Sequence, residues 1–130
     1  ALSKAGVDFE VVGAYDINEH ANLTYRENFG HSPCARNIEH LRPEDIDRLH
    51  ADLWTMSPPC QPFTTLGLRR DHQDARTTPL FHLQKVLAAL KHRPRYIFLE
   101  NVPAFHGSTT SEGFLQALGD CGYQWQQFHL

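Results

Sequence analysis

The chain has 130 residues, of which 41% are hydrophobic and 21% charged; these proportions are typical of one globular domain and exclude a disordered chain. A formal net charge of −3 does not indicate a nucleic-acid-binding protein, and no apolar run approaches the ~20 residues that span a membrane. The three cysteines are widely spaced without a CxxC motif, which argues against a disulfide framework and favours a reducing compartment.

Helices and strands are predicted to alternate along the chain. Helices are predicted at 1–5, 18–29, 43–50, 80–92 and 111–122. The apolar runs predicted to form strands are 10–17, 51–57, 95–102 and 123–130. Asn18 can cap the second helix and Gly30 can end it, whereas a short extended piece is expected at 37–38. The alternation indicates βαβ units and a mostly parallel sheet covered on both faces.

Polar residues follow three of the predicted strands, where parallel α/β sheets bind their ligands. They are Asp16, the run 57–61 and the pair 100–101. The run 57–61 opens the longest predicted loop, 58–79, and loops of that length are usually functional or disordered.

Two acidic residues at these strand ends each allow two interpretations. Asp16 stands where a carboxylate can accept two hydrogen bonds from a ribose diol, but it can equally be a helix-flanking carboxylate without a ligand. Glu100 ends an otherwise apolar strand, where partial desolvation would favour its protonated form and make it a proton donor. The alternative is that Glu100 is a strand-end acid in water.

Cys60 follows two prolines, whose fixed φ would present the thiol in a set direction. If a helix begins after Cys60, backbone N–H groups would favour the nucleophilic thiolate. The alternative is a buried structural cysteine. The zinc-deaminase pattern P-C-x-x-C is excluded because position 63 is Phe, and the nine scattered histidines form no HExxH pattern.

Together these motifs resemble the cytosine-5 methyltransferase family. PPCQPF is similar to its nucleophile motif, ENV to its cytosine-binding motif, DARTTPLF to the segment between them, and YDINEHANLTYRENFG to its second cofactor segment. The run SPPCQPFTTLG followed by D-x-R-T looks closest to the branch that methylates transfer RNA at a cytosine in the aspartate anticodon loop. A DNA methyltransferase, a catalytically silent nucleic-acid-binding relative and a generic nucleotide-binding module remain alternatives.

The resemblance implies a Rossmann-like, doubly wound, mostly parallel α/β sheet, the class I S-adenosylmethionine-dependent methyltransferase fold, incomplete at both ends. The family's first strand, its Gly-rich F-x-G-x-G loop, its Q-x-R-x-R segment and its target-recognition region have no counterpart in 1–130. We therefore expect a partial catalytic domain, an internal fragment that is inactive alone. We also expect a monomer without membrane contact that acts on nucleic acid, tRNA rather than DNA, in the cytoplasm or nucleus.

The resemblance also implies which residues act. Cys60 would attack C6 of a flipped-out cytosine, so that C5 can accept a methyl group from S-adenosylmethionine, and Glu100 would supply a proton near N3. Substrate contacts are expected from Pro59, Gln61, Asn101, Arg69 and Arg70, and Asn101 is also expected to support the loop geometry. Cofactor contacts are expected from Asp16, Ile17, Asn37, Ile38, Pro58 and Leu80. Asn37 stands where the family often has Asp, and its amide oxygen could accept a hydrogen bond from the adenine amine. No metal site is expected.

Overall fold

The computed structural model describes residues 2–58 and 78–129, which fall into two units, 1–40 and 41–130. The predicted loop 58–79 therefore lies almost entirely outside the described residues. Within the described part of the chain, no helix is long and apolar enough to cross a membrane.

The smaller unit contains helix α1, Glu19–Phe29, which begins and ends where the sequence predicts. The side-chain oxygen of Asn18 accepts hydrogen bonds from the backbone N–H groups of His20 (3.0 Å) and Ala21 (3.1 Å), which satisfies two of the donors that a helix start leaves unpaired. Gly30 ends the helix with φ 77°, a left-handed conformation that glycine adopts without steric cost. A short 3₁₀ turn, Ser3–Ala5, precedes this helix and ends at Gly6 in the same way.

The prediction of a strand at 10–17 is wrong for the described residues. One parallel bridge, between Tyr15 and Cys34, is all the strand pairing that this segment makes there. Val11 and Val12 are 42% and 44% exposed, although the sequence pattern predicts burial on both faces. An apolar run becomes a strand only when a neighbour accepts its backbone hydrogen bonds, and the segment finds such a neighbour at a single residue.

The prediction of an extended piece at 37–38 is also wrong. A 3₁₀ turn, Ile38–His40, stands there instead. The side-chain oxygen of Asn37 accepts a hydrogen bond from the backbone N–H of Glu39 at 2.9 Å. The backbone carbonyl of Asn37 accepts a second one from the backbone N–H of His40 at 2.9 Å. Asparagine favours such local turns because its side chain can hydrogen-bond the backbone two residues further on.

The larger unit is built around two parallel strands, β1, Leu53–Met56, and β2, Tyr96–Leu99. They pair in register from Leu53 opposite Tyr96 to Met56 opposite Leu99. Parallel neighbours need a crossover connection, and helix α3, Thr78–Ala89, lies within it. The described residues thus confirm an α/β chain with a two-stranded parallel sheet.

Helices α2, Pro43–Asp47, and α4, Thr109–Asp120, both pack against α3. The buried hydrophobic side chains of the described residues lie in this unit: Leu41, Ile46, Leu80, Val86, Leu87, Leu90, Phe105, Phe114 and Leu118. The apolar positions Leu83, Val86, Leu87 and Leu90 predict a helix over 80–92, and three of the four are buried, which confirms the helical period of that segment.

The last predicted strand, 123–130, is not present as a strand in residues 123–129. Tyr123 fixes the start of this segment, because its hydroxyl donates to the carbonyl of Pro94 at 2.5 Å. Trp125 and Phe128 are 53% and 75% exposed. As at 10–17, the apolar pattern is present but the residues described supply no partner strand for its backbone groups.

Asp47 joins the end of α2 to the turn that follows α3. Its carboxylate accepts the backbone N–H groups of Lys91 at 3.0 Å and His92 at 2.9 Å. These hydrogen bonds, the one from His92 first, lower the pKa of Asp47 because they stabilise its charged form.

We expect Asp47→Asn to lower the free energy of unfolding at neutral pH, because a neutral amide accepts these N–H groups less strongly. A carboxyl group whose pKa is lowered by folding stabilises above its unfolded pKa, and that stability is lost as the pH falls through the folded value. The difference in the free energy of unfolding between wild type and variant should therefore become smaller from pH ~7 towards pH ~3, across the ordinary aspartate pKa of ~3.9. Urea unfolding at both pH values tests this, with the exposed Asp120→Asn as control. A difference that does not depend on pH would contradict the prediction.

Candidate active site at the strand ends

Hydrogen bonds link the two chain segments that follow the carboxyl ends of β1 and β2. The backbone N–H of Glu100 donates to the carbonyl of Met56 at 3.0 Å, which extends the parallel ladder one residue beyond β2. The two segments that leave the sheet therefore start side by side, at the edge where α/β folds bind their ligands.

Asn101 adds a second connection between these segments. Its side-chain Nδ2 donates to the carbonyl of Pro58 at 3.3 Å, and its Oδ1 accepts the backbone N–H of Val102 at 2.8 Å. Both ends of the half-buried amide are thus bonded to the protein backbone. The sequence predicts Asn101 as a substrate contact and as a support of the loop geometry, and in this structure its side chain bonds to the backbone of both segments.

The side chain of Glu100 is exposed. Of the two interpretations that the sequence allows, this exposure matches a strand-end acid in water.

Several residues that the sequence predicts as catalytic or substrate-binding lie outside the described residues. They are Pro59, Cys60, Gln61, Arg69 and Arg70. Pro58, the residue before them, is described and half-buried. Their predicted roles stay predictions.

Asp16 and Ile17, predicted to contact the cofactor, lie in the smaller unit just before α1. Oδ1 of Asp16 accepts the backbone N–H of Asn18 at 2.8 Å, and its carbonyl accepts Nδ2 of Asn22 at 2.9 Å. The hydrogen bond to Asn18 is the helix-flanking role, yet the carboxylate remains exposed and able to accept from a diol. Ile17 is 66% exposed beside it, an apolar surface that a flat ring could cover.

The other predicted cofactor contacts are less open. Oδ1 of Asn37, the atom expected to accept from an adenine amine, already accepts the backbone N–H of Glu39, so only its second lone pair remains. Ile38 is half-buried at the start of its 3₁₀ turn. Leu80 is 2% exposed and belongs to the core of the larger unit, so its predicted contact is with protein in this structure.

The smaller unit also has a cleft of ≈ 270 Å³ that the sequence did not predict. The segment 11–15 lines it together with His31, Ser32 and Cys34, whose thiol is free and exposed. The residues described contain no group of three side chains that could hold a metal ion.

Sequence reasoning missed the hydrogen bond between Asn101 and Pro58. The signal that could have revealed it is the pair Pro58–Pro59, because two successive prolines carry no backbone N–H and can be held only through their carbonyl groups.

Comparison with known proteins shows which proteins this chain is similar to. The family model described as C-5 cytosine-specific DNA methylase matches residues 1–129. A DNA (cytosine-5)-methyltransferase of Dictyostelium discoideum is 44% identical over 132 residues, which cover 99% of this chain and 35% of that protein. A human tRNA (cytosine(38)-C(5))-methyltransferase is 42% identical over 131 residues, which cover 100% of this chain and 34% of that protein.

The fold is shared with solved structures. The crystal structure of the Dnmt2 methyltransferase of S. pombe matches with a TM-score of 0.82 and 35% identity, covering 95% of this chain and 36% of the other. The chain thus spans about a third of the length of these relatives. Because the family model matches residues 1–129, the chain belongs to the C-5 cytosine-specific DNA methylase family.

Proposed function

We propose that this chain is part of an enzyme that transfers a methyl group from S-adenosylmethionine to C5 of a cytosine in tRNA. The observation that carries the proposal is the joining of the two strand ends through Met56, Pro58, Glu100 and Asn101. It brings the segment that leads into Cys60 alongside Glu100, and the chemistry needs a nucleophile and an acid on one base.

The larger fold that we propose is the Rossmann-like, doubly wound sheet of class I methyltransferases. The parallel pair β1–β2 with α3 in its crossover is one βαβ unit of such a sheet. The TM-score of 0.82 to the S. pombe methyltransferase supports the same architecture.

In the proposed mechanism the Cys60 thiolate forms a bond to C6 of the cytosine, and the 5,6 double-bond electrons move into the ring. Glu100 donates a proton near N3 and so neutralises the charge that develops there. C5, now enamine-like, takes the methyl group from the sulfonium of S-adenosylmethionine, whose sulfur keeps the bonding electron pair and leaves as the thioether S-adenosylhomocysteine. A base then removes the C5 proton, and the electrons of that C–H bond restore the 5,6 double bond as the C6–S bond breaks. The proton near N3 returns to Glu100, and Cys60 is restored as a thiolate.

S-adenosylmethionine supplies the electrophilic methyl group, and the residues of the smaller unit fit the other end of that molecule. The exposed carboxylate of Asp16 can accept hydrogen bonds from ribose hydroxyls, and exposed Ile17 can cover an adenine face. Asn37 and Ile38 would lie at the adenine edge.

For the substrate, the carbonyl of Pro59 would accept the exocyclic amine of the base, and Gln61 would line the same pocket. Arg69 and Arg70 would meet phosphates, since guanidinium groups pair with them in a bidentate manner. We propose a monomer that works on nucleic acid in the cytoplasm or nucleus.

We expect the full-length protein to methylate tRNA at least about tenfold faster than duplex DNA. An anticodon loop presents unpaired bases, whereas a duplex base must first leave its stack at a cost of a few kcal/mol, and about 1.4 kcal/mol is a factor of ten. Transfer of labelled methyl groups to tRNA, and to duplex DNA of matched cytosine content, measures the ratio.

The sequence relatives include both kinds of enzyme, so the assay has a clear contrary result. Preference for duplex DNA would make the protein a DNA cytosine-5 methyltransferase. Transfer to neither substrate, by protein that binds S-adenosylmethionine, would indicate a catalytically silent relative.

A further inference from the structure

Three hydrogen bonds hold Asp16, the residue that precedes α1 and is proposed to meet the cofactor ribose. Its backbone N–H donates to the carbonyl of Cys34 at 3.3 Å, and its Oδ1 accepts the backbone N–H of Asn18 at 2.8 Å. The third bond comes from within α1, where Nδ2 of Asn22 donates to the backbone carbonyl of Asp16 at 2.9 Å. Only one of the two carboxylate oxygens takes part in these bonds, and the side chain remains exposed.

The amide of Asn22 is oriented by this contact. A carbonyl oxygen can only accept, so the NH₂ end of the amide has to face Asp16. Oδ1 of Asn22 is then buried, and it has no hydrogen-bond partner among the residues that the structure describes. A buried acceptor without a partner is unfavourable, and asparagine is a weaker helix former than leucine. Neither property favours asparagine inside α1, so the bond to Asp16 is the contact that accounts for it.

The bond from Asn22 fixes the peptide unit between Asp16 and Ile17. A peptide unit is planar and rigid, so a bond to its carbonyl oxygen restricts the backbone of both residues that it joins. Both residues are exposed, and the direction of an exposed side chain depends more on its backbone than on packing. The donor in α1 therefore controls the direction in which the Asp16 carboxylate leaves the chain.

We propose that Asn22 is a positioning residue of the cofactor site, which holds the Asp16 backbone so that the carboxylate meets the ribose hydroxyl groups. This role rests on the function proposed above, in which Asp16 accepts hydrogen bonds from the ribose. A carboxylate that is already held in the right direction loses less freedom on binding than one that has to be ordered first. Loss of the Asn22 donor should therefore weaken recognition of the ribose more than that of the rest of the cofactor.

The test compares the affinities of the full-length protein for S-adenosylhomocysteine and for its 2′-deoxy analogue, which lacks one ribose hydroxyl group. Calorimetric titration gives the ratio of the two affinities without any methyl transfer. Asn22→Leu removes the donor at similar size, and Asn22→Gln restores a donor on a longer side chain. The matched control is Asn28→Leu, because Nδ2 of Asn28 also donates to a backbone carbonyl, that of Thr24 at 2.7 Å, but within α1. Urea unfolding of every variant measures stability.

We expect the wild type to prefer S-adenosylhomocysteine by roughly tenfold or more, the factor typical of a hydrogen bond to a charged group. Asn22→Leu should lower this preference by roughly three- to tenfold, and affinity for the analogue should change less than about threefold. The stability of Asn22→Leu should not fall, because leucine removes the unpaired oxygen and is the stronger helix former. Asn22→Gln should recover part of the preference, and Asn28→Leu should match the wild type.

A double substitution tests whether Asn22 acts through Asp16. In an Asp16→Ala protein, Asn22→Leu should cause no further loss of the preference, since two residues that act as one unit are not additive. A further loss of the full size seen in the wild type would overturn the role, because it would mean that Asn22 acts on the ligand by another route.

A preference that Asn22→Leu leaves unchanged would also overturn the positioning role. So would an equal loss of affinity for both ligands together with lower stability, which is the result expected of a purely structural residue. Should leucine prevent folding, Asn22→Ala, which also lacks the donor, is compared in the same way. Wild-type protein that binds S-adenosylhomocysteine but does not methylate tRNA would refute the proposed function, and the ratio of affinities would still decide the role of Asn22.

Discussion

Replacement of Cys60 by alanine should abolish methyl transfer by the full-length protein, with a loss of roughly 10⁴-fold or more, while S-adenosylmethionine affinity stays within about threefold. The proposed mechanism depends on addition of the Cys60 sulfur to C6 of the ring, and without that addition C5 remains a poor nucleophile. Single-turnover methylation of tRNA, together with calorimetric titration of the cofactor, measures both quantities.

The chain provides two matched controls for this variant. Cys34 and Cys121 are free thiols in the described residues, and neither belongs to the segments that directly follow β1 and β2 in the sequence. Cys34→Ala and Cys121→Ala should turn over at nearly the wild-type rate. A Cys60→Ala protein with substantial turnover would contradict the mechanism.

Replacement of Glu100 by glutamine should slow single-turnover methyl transfer by roughly 10²- to 10⁴-fold, the range typical of a lost general acid. The amide keeps the size of the side chain but cannot give a proton as charge develops on the ring, so the loss should fall on the chemical step. The rate at saturating tRNA and cofactor is the quantity to measure, and the exposed Glu27→Gln on α1 is the control.

A Glu100→Gln variant with the wild-type rate and a raised KM for tRNA would contradict the role of Glu100 as a proton donor. This outcome would mean that the carboxyl group holds the base in place and does not protonate it. The exposure of Glu100 in this structure is compatible with either role until a base covers it.

Local signals in the sequence predicted much of the fold. Asn18 and Gly30 bound α1 because capping and the left-handed turn depend on the residues at those positions alone. β1 and β2 were predicted from apolar runs, and they are strands because each supplies the other with hydrogen-bond partners. The apolar runs at 10–17 and 123–130 show the same pattern but have no partner strand in the described residues. The pattern of side chains alone does not make a strand, because its backbone groups need hydrogen-bond partners.

The candidate site was predicted in part. Polar residues at the ends of two strands correctly indicated where β1 and β2 come together, because topology alone places those ends at one edge. The bonding of Asn101 to Pro58 was not foreseen, since it depends on which atoms of two loops approach each other. The sequence left open whether Glu100 is shielded or exposed for a related reason, because burial at a strand end depends on what covers it.

The covalent bond between enzyme and base is the central claim, and peptide mapping of the trapped adduct tests it most directly. RNA with 5-fluorocytosine should stay attached to the full-length protein after methyl transfer, because C5 then carries no proton to eliminate. We expect mass spectrometry to find the modified base on the peptide that contains Cys60. A modified Cys34 or Cys121 peptide, or no adduct under conditions that methylate ordinary tRNA, would contradict it.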